Sequence, residues 1–183
     1  MTYKEYKRYR SIERPKRSLR NIIAPNEADK FLKWLRITEL CCCGWRRLFL
    51  PIAYLKYRRL SLLTGISIPK NTCKEGLTLY HFGSIVVNPT CRIGRNCCIM
   101  NNVNIGANGG SLKAPRIGDN VYIGPGAVIF GDIEIADGCY IGANAVVNKS
   151  FLEPNSVIAG IPAKVIKTDN VSWWEKNKMS RQK

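Results

Sequence analysis

Residues 117–147 read IGDNVYIGPGAVIFGDIEIADGCYIGANAVV, and this stretch decides the fold. An aliphatic residue recurs there at every sixth position, from Ile117 to Val147. The same step occurs upstream at Val87, Ile93, Ile99 and Ile105. An α-helix cannot keep a period of six on one face, and a simple strand alternates every two residues. The period therefore predicts a mainly β structure, in which a short strand and a corner every six residues stack into a three-sided parallel β-helix.

The remaining positions of the repeat agree with this prediction. Four residues after each aliphatic come mostly small apolar residues, and Cys97 and Cys139 are thereby expected to pack in the core. Between Ile105 and Ile117 the step is twelve, so residues 107–115 are expected to project as a loop, either functional or merely tolerated. Residues that tolerate left-handed backbone follow each aliphatic by three positions and predict the corners: Asn96, Asn102, Asn120, Gly126, Asp132, Gly138 and Asn144.

Charge divides the chain unevenly. The formal net charge is +16, and residues 1–65 contain 16 Lys or Arg against 5 Asp or Glu. We expect a basic, partly helical N-terminal region at residues 1–62, the β-helix at residues 63–166 and a C-terminal tail at residues 167–183. Such a basic region suits nucleic acid, an anionic membrane or an acidic substrate, unless it is simply a solvated helical face. Nucleic acid is not expected, because neither an aromatic-interleaved platform nor a helix-turn-helix pattern accompanies the charge.

An anionic membrane surface is the partner that we predict for residues 1–62. The apolar residues Phe31, Trp34, Leu35 and Trp45 are expected at that interface, with packing on the first coil as the alternative. The longest apolar run, residues 48–55, is too short to span a bilayer. The chain has eight cysteines but no Cys-x-x-Cys pair. It also shows no apolar stretch typical of a signal peptide, so we predict that the cysteines are free thiols. The expected location is the cytoplasm, at the inner face of the membrane.

His81 is the only histidine. One histidine cannot complete a zinc site, so no metal is expected, and the G-x-S-x-G motif of serine hydrolases is absent. General-base chemistry remains open to it: an imidazole can take the proton from an acceptor hydroxyl that attacks a thioester. The six-residue spacing is interrupted just before Val87, as expected where a side chain points out of the prism.

Four landmarks follow one another along the chain: His81-Phe-Gly-Ser-Ile-Val-Val87, Ile117-Gly-Asp-Asn-Val-Tyr-Ile-Gly124, Ile141-Gly-Ala-Asn-Ala-Val-Val147 and Ala159-Gly-Ile-Pro-Ala-Lys164. Through them, residues 63–166 resemble the serine acetyltransferase branch of the hexapeptide-repeat acyltransferases. The resemblance implies a left-handed parallel β-helix, a homotrimer, acetyl-CoA in the groove between adjacent prisms, and His81 as the catalytic base. By position it implies acetyl-CoA contacts at Gly124, Ala143, Ala159, Lys164 and Lys167. The backbone N–H of Gly106 is expected, by its position, to face the reacting carbonyl of acetyl-CoA.

The departures from that family bear on the acceptor. Tyr80 stands where serine acetyltransferases carry an Asp before the histidine, and Lys113-Ala114 stands where they carry Arg-His. Their orienting Asp falls at Ile66 or Ser67, which leaves Glu75 or a backbone carbonyl to orient His81. The pattern is closer to short capsule O-acetyltransferases, so we expect a sugar or surface-polysaccharide hydroxyl as acceptor, with Tyr80 and Lys113 in contact with it. Serine O-acetylation and a non-catalytic trimeric scaffold are the alternatives.

Overall fold

The computed structural model describes residues 1–13 and 26–182. Within these ranges, three helices and a 3-10 segment precede the β-helix: α1 (Tyr3–Glu13), α2 (Glu27–Cys41), the 3-10 segment Gly44–Phe49 and α3 (Leu50–Thr64). A further helix, α4 (Trp173–Gln182), follows the β-helix. Part of the predicted N-terminal region, residues 14–25, lies outside the described residues.

Fourteen short strands carry the repeat, and most of them are only two or three residues long. They are β1 (Ile66–Ser67), β2 (Thr78–Leu79), β3 (Ile85–Val87), β4 (Arg92–Ile93), β5 (Cys98–Ile99), β6 (Asn104–Gly106), β7 (Arg116–Ile117), β8 (Tyr122–Ile123), β9 (Val128–Phe130), β10 (Glu134–Ile135), β11 (Tyr140–Ile141), β12 (Val146–Val147), β13 (Val157–Gly160) and β14 (Ala163–Lys167).

Three sheets form the sides of the prism. The first sheet has the order β1-β3-β6-β9-β12, the second β4-β7-β10, and the third β2-β5-β8-β11-β13-β14. All neighbours pair in parallel except β13 and β14, which form an antiparallel hairpin. The register places each aliphatic over its equivalent one coil later, as in Ile99 over Ile123, and these side chains are fully buried. The predicted left-handed parallel β-helix is confirmed.

The corners follow the predicted left-handed backbone with one correction. Asn96, Asn102, Asn120, Gly126, Gly138 and Asn144 all have positive φ. Asp132 does not: at that corner the positive φ, 103°, belongs to Gly131. The preceding strand β9 extends to Phe130, and glycine is the residue that adopts this conformation most easily. The turn therefore falls at Gly131, one position before the predicted one.

The helices close the N-terminal end of the prism. Phe31 and Leu35 of α2 are completely buried and belong to the same core as Ile66 and Ile68. These two side chains therefore pack on the first coil, and the prediction that they lie at a membrane interface is wrong. Trp34 is partly buried against that core, whereas Trp45 is 67% exposed. Apolar side chains on α2 are buried because the first coil has no preceding coil to cover its aliphatic residues.

A buried ion cluster joins α1 and α2 to the first coil. The Arg36 guanidinium donates to the carboxylates of Glu13 and Glu39 and to the carbonyls of Cys73 and Lys74, with donor–acceptor distances between 2.8 and 3.4 Å. Arg36 and Glu13 have fully buried side chains. The fork geometry of arginine explains how one side chain holds three segments of chain together.

The eight cysteines lie in the described part of the chain, and each is a free thiol. Cys97 and Cys139 are buried in the core, as the repeat predicts. Burial raises the pKa of Cys73 to about 12 and that of Cys91 to about 11. These thiols are therefore packing residues and not nucleophiles.

Candidate active site

His81 lies at one edge of the prism, where the chain passes from the third sheet to the first. We call this the His81 edge. It is formed by the stacked corners after β2, β5, β8 and β11, together with the β13–β14 hairpin. Tyr80 directly follows β2, as Gly124 follows β8 and Gly142 follows β11. Residues far apart in sequence are thereby aligned in one row along the axis.

The corner that carries His81 is two residues larger than its neighbours. Leu79 pairs with Ile99 and Val87 pairs with Ile105, so eight residues in this coil match six in the next. The extra length lies in the segment between β2 and β3, and the side chains of Tyr80, His81 and Phe82 are exposed there. The interruption in the sequence spacing is therefore a real enlargement of the corner that presents His81 to solvent.

Helix α2 supports this corner from the other side. The Asn26 amide donates to the carbonyl of Tyr80 at 3.3 Å, and its side-chain oxygen accepts from the N–H of Ala28 at 3.1 Å. The Gly83 N–H donates to the carbonyl of Thr64 at 2.9 Å. These two roles of Asn26 were not predicted from the sequence, although an Asn before an amphipathic run is a recognised helix-capping signal.

Small residues line the rest of the His81 edge. A Cβ on Gly124 would stand 2.8 Å from both the Ala143 nitrogen and the Ile141 carbonyl oxygen. A Cβ on Gly142 would meet the Cβ of Ala159 at 2.8 Å. Only glycine therefore fits at these two positions without backbone movement. The structure thus brings together the predicted donor-binding residues Gly124, Ala143 and Ala159 in adjacent coils.

Two predicted lysines lie next to this row. Lys164 pairs with Ala159 across the β13–β14 hairpin, and Lys167 pairs with Val157. Both lysines are exposed. Lys164 therefore lies beside the C-terminal end of the His81 edge, and Lys167 lies farther from that edge along the same hairpin.

Tyr80 neighbours an aromatic surface on the outer face of the third sheet. Tyr122 and Tyr140 stack there with ring centroids 4.3 Å apart, and Trp173 of α4 packs on Tyr122 at 6.5 Å. Burial, followed by the nearby hydroxyl of Tyr140, raises the pKa of Tyr122 to about 12. This face is therefore covered by the C-terminal helix, while Tyr80 itself remains 45% exposed.

Gly106 and Lys113 lie at a different edge, between the first and second sheets. Gly106 ends β6 and pairs with Phe130, and the predicted loop, residues 107–115, follows directly. Lys113 is exposed, and its ammonium lies 2.7 Å from the Asp132 carboxylate. One side of the prism separates this loop edge from the His81 edge, about 15 Å for five extended residues. One chain does not bring these two residues to His81.

Glu75 is not beside His81. It precedes β2, at the corner between the second and third sheets, whereas His81 follows that strand. The Glu75 carboxylate is buried and forms ion pairs with Arg8 and with Arg95, the latter at 2.9 Å. The suggestion that Glu75 orients His81 is therefore wrong, because both arginines hold it at another corner. The His81 imidazole forms no hydrogen bond with any residue in the described ranges.

Comparisons with known proteins agree with this geometry. Residues 114–149 match the family described as Bacterial transferase hexapeptide (six repeats). A serine acetyltransferase of Staphylococcus aureus is 36% identical over 111 residues, which are 59% of this chain and 52% of the relative. One of Mycobacterium tuberculosis is 34% identical over 108 residues, 57% of this chain and 47% of the relative. The chain thus spans about half the length of these curated relatives.

Solved structures extend the likeness to the helices. The soybean serine acetyltransferase apoenzyme has a TM-score of 0.69 and 28% identity, covering 88% of this chain and 66% of that one. A Neisseria gonorrhoeae serine acetyltransferase has a TM-score of 0.71 and 26% identity, covering 97% and 67%. The chain is therefore similar to serine acetyltransferases in its β-helix sequence and in its overall fold.

Proposed function

We propose that this chain is an acetyl-CoA-dependent O-acetyltransferase with His81 as its general base. The observation that carries the proposal is the position of the only histidine: it stands on an enlarged, exposed corner in line with Gly124, Ala143 and Ala159. A base and a row of small residues, among which Ala143 is exposed, thus share one edge. The acetyltransferases to which the chain is similar support the same chemistry.

The residues of this edge fit acetyl-CoA. The extended pantetheine arm needs a groove with exposed backbone polar groups, and Gly124, Gly142 and Ala159 place no long side chain over this edge. Lys164 and Lys167 carry the positive charge that the phosphates of CoA require. Acetyl-CoA supplies the activated acyl group.

His81 performs the proton transfer. Its imidazole accepts the proton of the acceptor hydroxyl while that oxygen forms a bond to the thioester carbonyl carbon. The carbon–sulfur bond then breaks, and the imidazolium returns the proton to the leaving sulfur, giving an acetyl ester and free CoA. A backbone N–H donor stabilises the oxyanion that develops on the carbonyl oxygen. We propose Gly106 of a second subunit for this role, because Gly106 of the same chain lies at the other edge.

A homotrimer completes the site in this proposal. The outward residues of the second sheet, Arg92, Arg116 and Glu134, are charged, whereas those of the first sheet include Val86, Val128 and Val146. The first sheet lies between the His81 edge and the loop edge. Packing three such sheets around a common axis places the loop edge of one subunit beside the His81 edge of the next. Lys113 thereby reaches the acceptor from the second subunit.

Serine is the first acceptor to test. The relatives are serine acetyltransferases, and this favours serine over the sugar hydroxyl that the sequence pattern placed first. A sugar remains the second candidate on a specific observation: Tyr80, half-exposed beside His81, offers a ring and a hydroxyl and no carboxylate for the serine ammonium group. Ala114 is buried in the core and contributes no side chain to either acceptor.

The test combines turnover with binding. The acetyl ester is detected by mass spectrometry, because a thiol reagent would also modify the exposed Cys43. With serine, or with a sugar from an acceptor panel, His81→Ala is expected to lower kcat about 100- to 10,000-fold and to leave calorimetric binding of CoA unchanged. Lys4→Gln, on the exposed side of α1, is the matched control.

Three results would each contradict part of the proposal. Near wild-type turnover by His81→Ala would remove the histidine mechanism. Wild-type protein that binds no CoA and acetylates nothing would favour the non-catalytic scaffold. Sedimentation of a monomer at micromolar concentration would contradict the trimer.

The setting that we propose is the cytoplasm, with residues 1–62 at the inner face of the membrane. Free thiols throughout the chain support a reducing compartment. No helix in the described ranges is long and apolar enough to cross a bilayer. The proposed contact is therefore peripheral.

A further inference from the structure

One face of the α3 region carries a row of exposed apolar side chains that is interrupted by Arg59. Each is more than half exposed, from 53% at Phe49 to 81% at Leu48. We call this row the α3 stripe, and its members are Trp45, Leu48, Phe49, Ile52, Leu55, Leu62 and Leu63. Several large exposed apolar side chains on one face commonly mark a site of protein or membrane contact.

The orientation of α3 is fixed by its other face. Ala53 and Tyr57 are buried, the Tyr57 hydroxyl donates to the carbonyl of Ile68 at 2.8 Å, and the Ser61 hydroxyl donates to the carbonyl of Ile66 at 2.6 Å. Successive helical residues are rotated by about 100°, so the positions of Ile52 and Leu55 fall opposite this buried face. The stripe therefore points away from the protein and cannot turn inward without releasing the first coil.

Charge around the stripe is predominantly positive. Residues 40–74 contain no Asp or Glu and seven Lys or Arg: Arg46, Arg47, Lys56, Arg58, Arg59, Lys70 and Lys74. Arg59 lies within the stripe and Arg58 beside it, and both are exposed. The acidic side chain that lines the same groove as Arg59 and Leu63 is Glu27 of α2, and it is paired with Lys30 at 2.6 Å. The surface is thus both apolar and strongly positive.

This combination decides between two occupants. A second copy of the chain would bring the same arginines face to face, and like charges across an interface oppose association. An anionic bilayer instead accepts apolar side chains at the level of its headgroups and attracts the cations that flank them. Arginine also extends its charged end to the headgroups while its stem stays among apolar groups. We propose that the α3 stripe is the surface through which the protein binds peripherally to an anionic lipid bilayer.

The helix lies flat on the bilayer in this arrangement. From Leu48 to Leu63 the stripe is about 22 Å long at about 1.5 Å per residue. Trp45 occupies the headgroup level at one end, since the amphipathic rings of Trp and Tyr favour that region. The α3 stripe is thus the part of the N-terminal region that contacts the membrane, which rests on the proposed location at the inner face of the membrane. It does not depend on acetyl transfer.

Vesicle co-sedimentation tests the inference in the absence of acetyl-CoA and acceptor, so that its failure is separate from failure of the proposed enzyme. Wild-type protein should pellet with phosphatidylglycerol–phosphatidylcholine vesicles, bind far less to phosphatidylcholine alone, and be released as salt is raised. Leu48→Ser combined with Leu55→Ser should weaken binding at least about tenfold. Arg58→Gln combined with Arg59→Gln should weaken it roughly 25-fold, about fivefold for each charge.

Matched controls come from exposed residues elsewhere. Leu112→Ser with Leu152→Ser removes two leucines that are 87% and 68% exposed, and Lys149→Gln with Lys178→Gln removes the same charge as the arginine pair. Both control pairs should bind vesicles like wild type. The inference is overturned if wild type does not bind anionic vesicles, or if the leucine pair in the stripe binds as wild type does. It is also overturned if that pair instead abolishes self-association seen by sedimentation velocity, which would identify a second copy as the occupant.

Discussion

Replacing Arg36 by leucine is expected to loosen the attachment of α1 and α2 to the β-helix. The guanidinium is completely buried and donates to Glu13 at 2.8 Å, to Glu39 at 2.9 Å and to two carbonyls of the first coil. Leucine would remove the ion pair of the buried Glu39 carboxylate and leave the buried Glu13 carboxylate with Arg10 alone, 3.9 Å away. Breaking a buried ion pair by removing one partner costs about 3–5 kcal/mol. Because two carboxylates lose the same partner here, we expect the upper part of that range.

The cost should depend on pH in a defined direction. Burial raises the pKa of Glu13, even though the charge on Arg36 opposes that shift. Without Arg36 that opposition disappears, and the folded-state pKa rises further above its unfolded value. A carboxyl group whose folded-state pKa is raised destabilises the folded protein as pH rises through that pKa, because its charged form is the less favourable one in the folded state. The difference between Arg36→Leu and wild type should therefore be largest at alkaline pH and shrink as the solution is acidified.

Urea unfolding followed by helical circular dichroism measures this cost, since α1, α2 and α3 provide most of the helical signal. Arg116→Leu is the matched control, because Arg116 is exposed on the second sheet and should change stability by less than about 0.5 kcal/mol. A cost below about 1 kcal/mol for Arg36→Leu at alkaline pH would refute the reasoning. So would a cost that grows as pH falls.

Two further predictions concern the proposed donor site. Gly124→Ala should lower the free energy of unfolding by about 1–3 kcal/mol and weaken CoA binding, because its Cβ would press on backbone atoms 2.8 Å away. Urea unfolding and calorimetry measure the two effects. Gly109→Ala is the control and should change neither quantity, because the space around its Cβ is open. Lys164→Gln combined with Lys167→Gln should raise the KM for acetyl-CoA about tenfold with little change in kcat, since an exposed cation commonly contributes about 0.7 kcal/mol. An unchanged KM, or an equal effect from Lys4→Gln with Lys7→Gln, would contradict phosphate binding by these lysines.

The β-helix was predictable because its information is local and repeated. Each hexad specifies its own strand and corner, and the coils then stack the same positions above one another. The positive φ at Asn96 and Asn144 and the enlarged corner before Val87 follow from spacing alone. Asp132 was the exception, because strand β9 is one residue longer and moves the turn to Gly131. The six-residue spacing of the aliphatic residues does not reveal this longer strand, because Gly131 and Asp132 can both adopt a left-handed turn.

The helices were predictable in position but not in the direction of their faces. Apolar periodicity identifies a buried or bound face, and it does not say what covers that face. Phe31 and Leu35 were expected at a membrane and instead cover the first coil, whereas Leu48 and Leu55 are the exposed ones. Glu75 was misplaced for a related reason. Its distance from His81 in sequence is short, but a strand of the third sheet separates the two residues and places them at different corners.

The three-sided fold also dictates how a site of this kind must be assembled. Along one edge, residues from successive coils meet although they are 16 to 19 positions apart, as Gly124, Ala143 and Ala159 do. Residues on different edges never meet within one chain, however close they are in sequence, because the packed aliphatic core lies between them. His81 and Gly106 belong to different edges of this rigid prism. A reaction that needs both therefore requires a second subunit, and the apolar outer side of the first sheet is the face that joins the two edges.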